Sequence, residues 1–125
     1  FAACAVMAAY NESEEWLDEL REVIFENKQI VKKYLEEELP IIKLVECDAT
    51  YLLWLDCSKL NVSSKVLSGF LRTNQGLFLS AGVDFGKCGD RFLRMNIACP
   101  QKLLKEGLGR LKAGIHALTI INQGL

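Results

Sequence analysis

Apolar residues recur every three or four positions between residues 12 and 38, and this spacing constrains the fold more than any other feature of the sequence. The members of this stripe are Trp16, Leu17, Leu20, Val23, Ile24, Ile30, Val31, Tyr34 and Leu35. The spacing predicts an amphipathic helix, which Pro40 ends. At 1.5 Å per residue this helix is roughly 40 Å long, which is more than the width of one domain. We therefore expect a long N-terminal helix that projects or that links two domains.

A shorter helix is expected before the long one. Residues 2–9 are mostly alanine, which favours helix and close packing. Asn11 and Glu14 have the spacing of a capping box at the start of the long helix. The chain opens at Phe1 without the charged flank of a signal peptide, and the opening resembles the middle of a buried helix. We expect this chain to be one segment of a larger polypeptide.

Four later segments have the composition of strands, namely residues 41–46, 50–56, 77–80 and 91–98. The second of these is almost continuously apolar, which is typical of a strand that is covered on both faces. A helix is expected between the second and third strands, with Asn61, Ser63 or Ser64 as its cap and Gly76 as its left-handed stop. Pro100 suits the first position of a last helix.

This order of elements predicts an α+β fold. We expect a sheet of three to four mostly antiparallel strands with helices packed on one face, together with the long N-terminal linking helix. Residues 1–40 would contain the two N-terminal helices, and residues 41–125 would form the α+β domain.

Composition and charge argue against several classes of partner. The 125 residues correspond to one domain, and 15 basic and 16 acidic side chains give a net charge of −1. A nucleic-acid interface needs a basic face, which this balance does not favour. No apolar run approaches the roughly 20 residues of a membrane span. We therefore expect neither nucleic acid nor membrane as a partner.

Cysteine and histidine give no sign of a metal site. The five cysteines are Cys4, Cys47, Cys57, Cys88 and Cys99, and no two of them have the C-x-x-C spacing. We interpret them as small hydrophobic residues of a protein in a reducing compartment. The single histidine, His116, lacks other metal ligands in its sequence neighbourhood.

One expected strand carries a charge near its middle. The segment RFLRMNIACP spans residues 91–100 and contains Arg94. Side chains alternate across a strand, so Arg94 shares a face with Phe92, Asn96 and Ala98. The opposite face is apolar and is expected to belong to the core; it consists of Leu93, Met95, Ile97 and Cys99. A half-buried guanidinium is costly unless it meets an anion, and its planar fork matches a carboxylate.

That carboxylate has two possible sources. Asp56, Asp84 or Asp90 of the same chain would form an internal ion pair with the arginine. A carboxylate on a ligand would instead make Arg94 a binding residue. The residues alone leave both alternatives open.

The sequence contains no convincing catalytic group. A Ser–His or Cys–His pair is weak with one histidine late in a helix. The lysines lie on polar helix faces or in loops, and not in the apolar pocket that a Schiff-base lysine needs. Glycines 82, 86 and 89 do not match G-x-G-x-x-G, so a phosphate cradle is not indicated.

Three segments nevertheless resemble one enzyme family. They are AAYNESEEWLDELREVIFENK, ATYLLWLD and LFLSAGVDFGKCGDRFLRMNIACPQKLLKEGLGRL. They are similar to the C-terminal small domain of fold-type I pyridoxal-phosphate (PLP) enzymes. Within the class I and II aminotransferases, the similarity is strongest to the MalY-type, cystathionine β-lyase-like branch of carbon–sulfur lyases. The resemblance covers about residues 1–118.

The resemblance implies a role for the strand arginine. In this family the arginine of an R-x-N strand binds the α-carboxylate of the amino-acid substrate. The letters RMN supply that arginine as Arg94, and they give Asn96 a supporting role. The family's Schiff-base lysine and its phosphate-binding groups lie in the large domain, and their motifs do not occur here. The resemblance therefore implies no catalytic, cofactor-binding or metal residue in this chain.

The resemblance also implies properties of a parent enzyme. That enzyme would be a cytoplasmic homodimer that uses PLP, with an active site built between its small and large domains. Transamination and β-elimination remain open, because residues near the cofactor decide between them. A stand-alone module that binds amino acids for regulation, or a purely structural interaction domain, remains the alternative.

Overall fold

The computed structural model describes residues 1–123 and has the expected α+β architecture. Its helices and strands are, in chain order, α1 Ala2–Glu12, α2 Glu14–Glu38, β1 Lys43–Leu44, β2 Leu52–Asp56, α3 Ser64–Gln75, β3 Ser80–Ala81, β4 Phe92–Asn96 and α4 Gln101–Gln123. Two short 3-10 turns, Gly82–Phe85 and Lys87–Gly89, connect β3 to β4. The predicted order of helices and strands is confirmed.

The four strands form one antiparallel sheet in the order β1-β2-β4-β3. The central pair has the longest register, in which Trp54 of β2 lies opposite Arg94 of β4. On the other side of β4, Ser80 of β3 also lies opposite Arg94. Arg94 is therefore in the middle of the sheet, with a neighbour on each side.

Helices cover one face of this sheet, which we call the inner face. The core lies between that face and α2, α3 and α4, and its strand residues include Leu53, Leu55, Leu93 and Met95. Along β2 and β4 the buried residues alternate with partly exposed ones, as the period of two predicts. The other set of side chains, which includes Trp54 and Arg94, lies on the opposite or outer face.

The two N-terminal helices are covered very unequally. α1 has no buried residue, and the buried residues of α2 are Asn27, Val31 and Leu35, all in its second half. α2 contains 25 residues, which corresponds to roughly 37 Å. No helix within residues 1–123 combines the length and the hydropathy that crossing a membrane requires.

The termini of α3 agree with the sequence analysis. The Ser63 side chain caps the helix by accepting a hydrogen bond from the Val66 amide. Gly76 ends the helix with φ of 60°, in the left-handed region that glycine adopts without strain. Of the three candidates, Ser63 is the cap, because its backbone is extended and the helix begins at Ser64.

Three local expectations are wrong. Asn11 lies inside α1, because that helix continues to Glu12, and Ser13 precedes α2 without a side-chain cap. The first strand is reduced to Lys43–Leu44, since the residues after Pro40 form a turn in which the Ile42 amide donates to the Leu39 carbonyl. The third strand is Ser80–Ala81 and not 77–80, because the Leu77 amide is used to close α3 by donating to the Leu71 carbonyl.

Candidate functional site

Arg94 lies on the outer face of the sheet and is partly buried. Its Cζ atom is 4.0 Å from the centroid of the Phe85 ring, which is a close cation–π contact. Within residues 1–123, no carboxylate forms an ion pair with this guanidinium, and its N–H groups donate no hydrogen bond. The donors of Arg94 are therefore not used inside the described chain.

The acidic residues proposed as internal partners have other roles. Asp56 accepts a hydrogen bond from the Ser58 amide at 2.9 Å, and its hydrogen bonds with Ser58 lower its pKa. Asp90 accepts hydrogen bonds from Ser64 and Arg91, and the bond from the Ser64 amide contributes most to lowering its pKa. Asp84 is exposed and forms no ion pair with Arg94. The internal ion-pair alternative does not describe this structure.

Aromatic residues surround the arginine on the outer face. Trp54 lies opposite Arg94 in the register, and its ring meets the Phe85 ring edge to face at 5.6 Å and 85°. The Phe92 ring also meets the Trp54 ring edge to face, at 6.2 Å and 78°. Such perpendicular contacts are favourable for aromatic rings, so the three rings support one another. We call Trp54, Phe85, Phe92 and Arg94 the outer-face cluster.

Asn96 lies on the same strand face as Arg94 but is exposed. Its Oδ1 atom accepts a hydrogen bond from the Ala98 amide at 2.8 Å. The side chain thereby stabilises the end of β4, where the chain turns toward α4.

Phe85 belongs to the connection between β3 and β4, which is closely folded. Ser64, which is fully buried, accepts a hydrogen bond from the Val83 amide through Oγ at 3.2 Å. The same Ser64 donates to the Asp90 carboxylate from its amide and its hydroxyl, so both ends of the connection are tied to α3. Gly82 and Gly89 touch each other, because a Cβ added to either would lie 2.1 Å from the other's carbonyl oxygen.

Asn27 fixes the other end of β4. It is fully buried, and its Nδ2 atom donates to the carbonyl groups of Ile97 and Cys99, both at 2.8 Å. These bonds attach α2 to the chain that leaves β4. The Asn27 Oδ1 atom is buried and has no partner among the described residues.

The sequence did not reveal the contacts that Phe85, Ser64 and Asn27 make around β4. Phe85 lies in a glycine-rich segment that is held by contacts with α3. No local pattern in the sequence indicates which side chain of this segment contacts Arg94. Ser64 was considered as a helix cap. Asn27 lies within the apolar stripe of the long helix, and a polar residue in such a stripe is a signal for a buried hydrogen bond.

The described residues do not provide a Schiff-base site for PLP. Lys28 and Lys112 are partly covered, and the other lysines are exposed. The Nζ atom of Lys28 donates to the Cys47 carbonyl, and that of Lys112 pairs with the Glu38 carboxylate. The pKa of Lys112 is raised by the hydrogen bond to Glu38, which is opposite to the shift that a nucleophilic lysine needs.

The cysteines and the histidine show no arrangement for catalysis. All five cysteines are free. Cys57 is buried, and burial raises the pKa of its thiol to about 12. His116 is exposed on α4. A raised pKa suits a structural thiol and not a nucleophile.

Comparison with known proteins finds one matching family profile and several related sequences. The sequence profile of the family described as Aminotransferase class I and II matches residues 1–111. The chain is 36% identical over 115 residues to the cystathionine beta-lyase PatB of Bacillus subtilis, covering 92% of this chain. It is 30% identical over 117 residues to the protein MalY of Escherichia coli, covering 94% of this chain.

A solved structure extends the similarity to the fold. Cystalysin from Treponema denticola, whose crystal structure contains pyridoxal 5'-phosphate, is 34% identical and superposes with a TM-score of 0.83 over 88% of this chain. The chain spans 30% of the length of PatB and of MalY and 28% of that of the cystalysin chain. The similarity therefore concerns one region of each of these proteins.

Proposed function

The chain belongs to the class I and II aminotransferase family, and we propose that it is the C-terminal small domain of a PLP-dependent aminotransferase or carbon–sulfur β-lyase that acts on amino acids. In this proposal Arg94 binds the α-carboxylate of the substrate, and Asn96 supports the strand that carries it. The chain alone is expected to be inactive, because its lysines do not form a Schiff-base site.

The observation that carries this proposal is the state of the Arg94 guanidinium. It is partly buried in the middle of a sheet and rests on an aromatic ring. A cation in this position is favoured when an anion completes its hydrogen bonds. No carboxylate of residues 1–123 pairs with it, so its donors remain for a ligand. A carboxylate that binds both prongs of the guanidinium is the best geometric match.

We further propose the surroundings of this domain in the parent enzyme. The large domain of the same polypeptide would supply the lysine and the phosphate site, and PLP would supply the carbanion-stabilising chemistry when bound. This chain would bind and orient the substrate. A cytoplasmic homodimer is proposed by resemblance, and the five free cysteines are consistent with a reducing compartment.

The test is substitution of Arg94 in the full-length enzyme. Arg94→Ala is expected to raise KM for the amino acid and to lower kcat/KM by roughly 10- to 1000-fold, since each tenfold change corresponds to about 1.4 kcal/mol. Arg72→Ala is the matched control, because Arg72 is exposed and also lies over a phenylalanine ring, 5.1 Å from the Phe78 centroid. Equal kinetics of Arg94→Ala and Arg72→Ala would remove Arg94 from the substrate site.

A further inference from the structure

We propose that Phe85 is a positioning residue that holds the Arg94 guanidinium in place for the substrate carboxylate. This inference rests on the proposed function of Arg94 and adds a second residue to the same site. The observation behind it is the 4.0 Å separation between the Arg94 Cζ atom and the centroid of the Phe85 ring.

An arginine that binds a carboxylate with both prongs needs a fixed orientation. An arginine side chain has many rotamers, and the conformational entropy lost when binding restricts it to one rotamer weakens the complex. An ion pair with an internal carboxylate would fix the side chain, but it would also occupy the donors that the substrate needs. An aromatic face attracts the cation through its quadrupole and leaves the N–H groups free of a competing carboxylate.

The contacts within the outer-face cluster are consistent with an aromatic ring that orients the guanidinium. Phe85 has its ring edge to face with Trp54, which is the β2 neighbour of Arg94 in the register. The sheet thus fixes the arginine backbone, Trp54 fixes Phe85, and Phe85 fixes the guanidinium. Asp84, which precedes Phe85 in the sequence, is exposed and does not neutralise the cation.

The backbone around Phe85 is also held in place. Ser64 binds Val83 and Asp90, one on each side of Phe85 in the sequence. Gly82 and Gly89 are in backbone contact and close the base of the segment. Phe85 itself is 49% exposed, and its ring contacts Trp54 and Arg94 on the outer face. Its backbone is thus held by contacts other than those of the ring, and the ring lies at the surface beside the guanidinium.

The contact itself can be tested by NMR on the 125-residue chain. An aromatic face shifts nearby protons upfield, so the Arg94 Hε and Hδ resonances are expected upfield of those of exposed arginines. Phe85→Leu is expected to remove the shift, and Phe85→Tyr is expected to retain it. Phe78→Leu, which removes the ring beneath Arg72, is expected to leave the Arg94 resonances unchanged. Arg94 resonances that do not respond to Phe85→Leu would overturn the inference.

The consequence for binding is tested in the full-length holoenzyme with two ligands, an amino-acid substrate and the amine that lacks its carboxylate. The measured quantity is the ratio of their dissociation constants. Phe85→Leu is expected to reduce the preference for the amino acid by roughly 3- to 30-fold, the range of a cation–π contact. Phe85→Tyr should stay within about twofold of the wild type. A general folding defect would weaken the binding of both ligands and leave the ratio of their dissociation constants unchanged.

The Arg94→Ala variant distinguishes a failure of the proposed role of Arg94 from a failure of the proposed role of Phe85. If Arg94→Ala leaves the ratio unchanged, the carboxylate role of Arg94 is wrong, and the role of Phe85 falls with it. If Arg94→Ala abolishes the preference while Phe85→Leu keeps it at the wild-type value, Arg94 binds the carboxylate without help from Phe85. The second result would overturn this inference and leave the proposed function intact.

Discussion

Ser64 and Asp90 are joined by two hydrogen bonds that converge on one carboxylate oxygen. The Ser64 amide donates to Asp90 Oδ1 at 2.9 Å, and the Ser64 hydroxyl donates to the same atom at 3.2 Å. The hydroxyl oxygen also accepts a hydrogen bond from Val83. The start of α3 thus connects the two ends of the segment that carries Phe85.

The first prediction concerns the pH dependence of this connection. Its hydrogen bonds lower the pKa of Asp90, so the ionised carboxylate stabilises the folded chain. This contribution is present above the unfolded pKa, near 4, and it is lost as pH falls through the lower pKa of the folded state. Asp90→Asn should be less stable than the wild type at pH 7, and the difference should shrink below about pH 4. Urea unfolding at several pH values measures it.

Asp84→Asn is the matched control for this experiment, because it removes a nearby exposed carboxylate that does not bind Ser64. We expect its stability to follow that of the wild type across the same pH range. A gap between wild type and Asp90→Asn that stays constant from pH 7 to pH 3 would contradict the linkage.

A second prediction compares two glycines. A Cβ added to Gly82 would lie 2.1 Å from the Gly89 carbonyl oxygen and 2.7 Å from that of Phe92, and neither backbone group can move easily. Gly82→Ala should therefore destabilise the chain by about 1–3 kcal/mol or more. Gly69 is exposed within α3, with open space around its Cβ position, so Gly69→Ala should stabilise by about 0.5–1 kcal/mol. Opposite signs in chemical denaturation are expected, and equal effects would contradict the contact between Gly82 and Gly89.

The sequence predicted the parts of this structure that depend on local periodicity. Alternation along β4 correctly separated Leu93 and Met95, which are buried, from Arg94, which faces outward. Gly76 was recognised because a left-handed residue after a helix is a local requirement. The cap of α2 was wrong because two neighbouring helices compete for the residues between them, and α1 extends through Asn11.

The environment of Arg94 was not predictable in the same way. Its partner Phe85 lies in a segment that is hydrogen-bonded to Ser64. Ser64 and Asp90 are 26 residues apart in the sequence, so no local pattern reveals this contact. The sequence contained three candidate acidic partners for Arg94, namely Asp56, Asp84 and Asp90, and spacing alone does not exclude them. Only the register and the hydrogen bonds show that Asp56 and Asp90 are used elsewhere.

A third prediction concerns thiol reactivity. Burial raises the pKa of the Cys57 thiol to about 12, whereas Cys4 and Cys88 are exposed. Because the thiolate is the reactive form, iodoacetamide at pH 8 should label the two exposed cysteines first. Cys57 should become labelled at a comparable rate after the chain is unfolded in urea. Mass spectrometry of peptides over time provides the measurement, and rapid labelling of Cys57 in the folded chain would contradict its burial.

A fourth prediction is that the isolated chain does not bind PLP specifically. No lysine among residues 1–123 is buried, and the two partly covered lysines already donate to Cys47 and Glu38. Titration with PLP should give no saturable absorption band at one equivalent, and borohydride reduction should label exposed lysines without preference. The full-length enzyme is the positive control. A stoichiometric band from the chain alone, with one labelled lysine, would show that a cofactor site lies within these residues.

The last prediction concerns Asn27, which attaches α2 to the end of β4. Its Nδ2 atom donates to two carbonyl groups in a fully buried site. Asn27→Asp replaces that donor with a carboxylate oxygen facing the same carbonyl groups, so it should destabilise the chain by about 3–5 kcal/mol at pH 7. Burial without a cation raises the pKa of such an aspartate, so stability should be regained as pH falls and the group is protonated.

Asn74→Asp is the control for this variant. The Asn74 Nδ2 atom also donates to a backbone carbonyl, that of Phe70 at 3.0 Å, but on an exposed surface. Asn74 lies in the last turn of α3, where a negative charge is mildly unfavourable, so the control should lose less than about 1 kcal/mol. Equal unfolding free energies for the two variants at pH 7 would show that the Asn27 contact does not attach the long helix to the strand of Arg94.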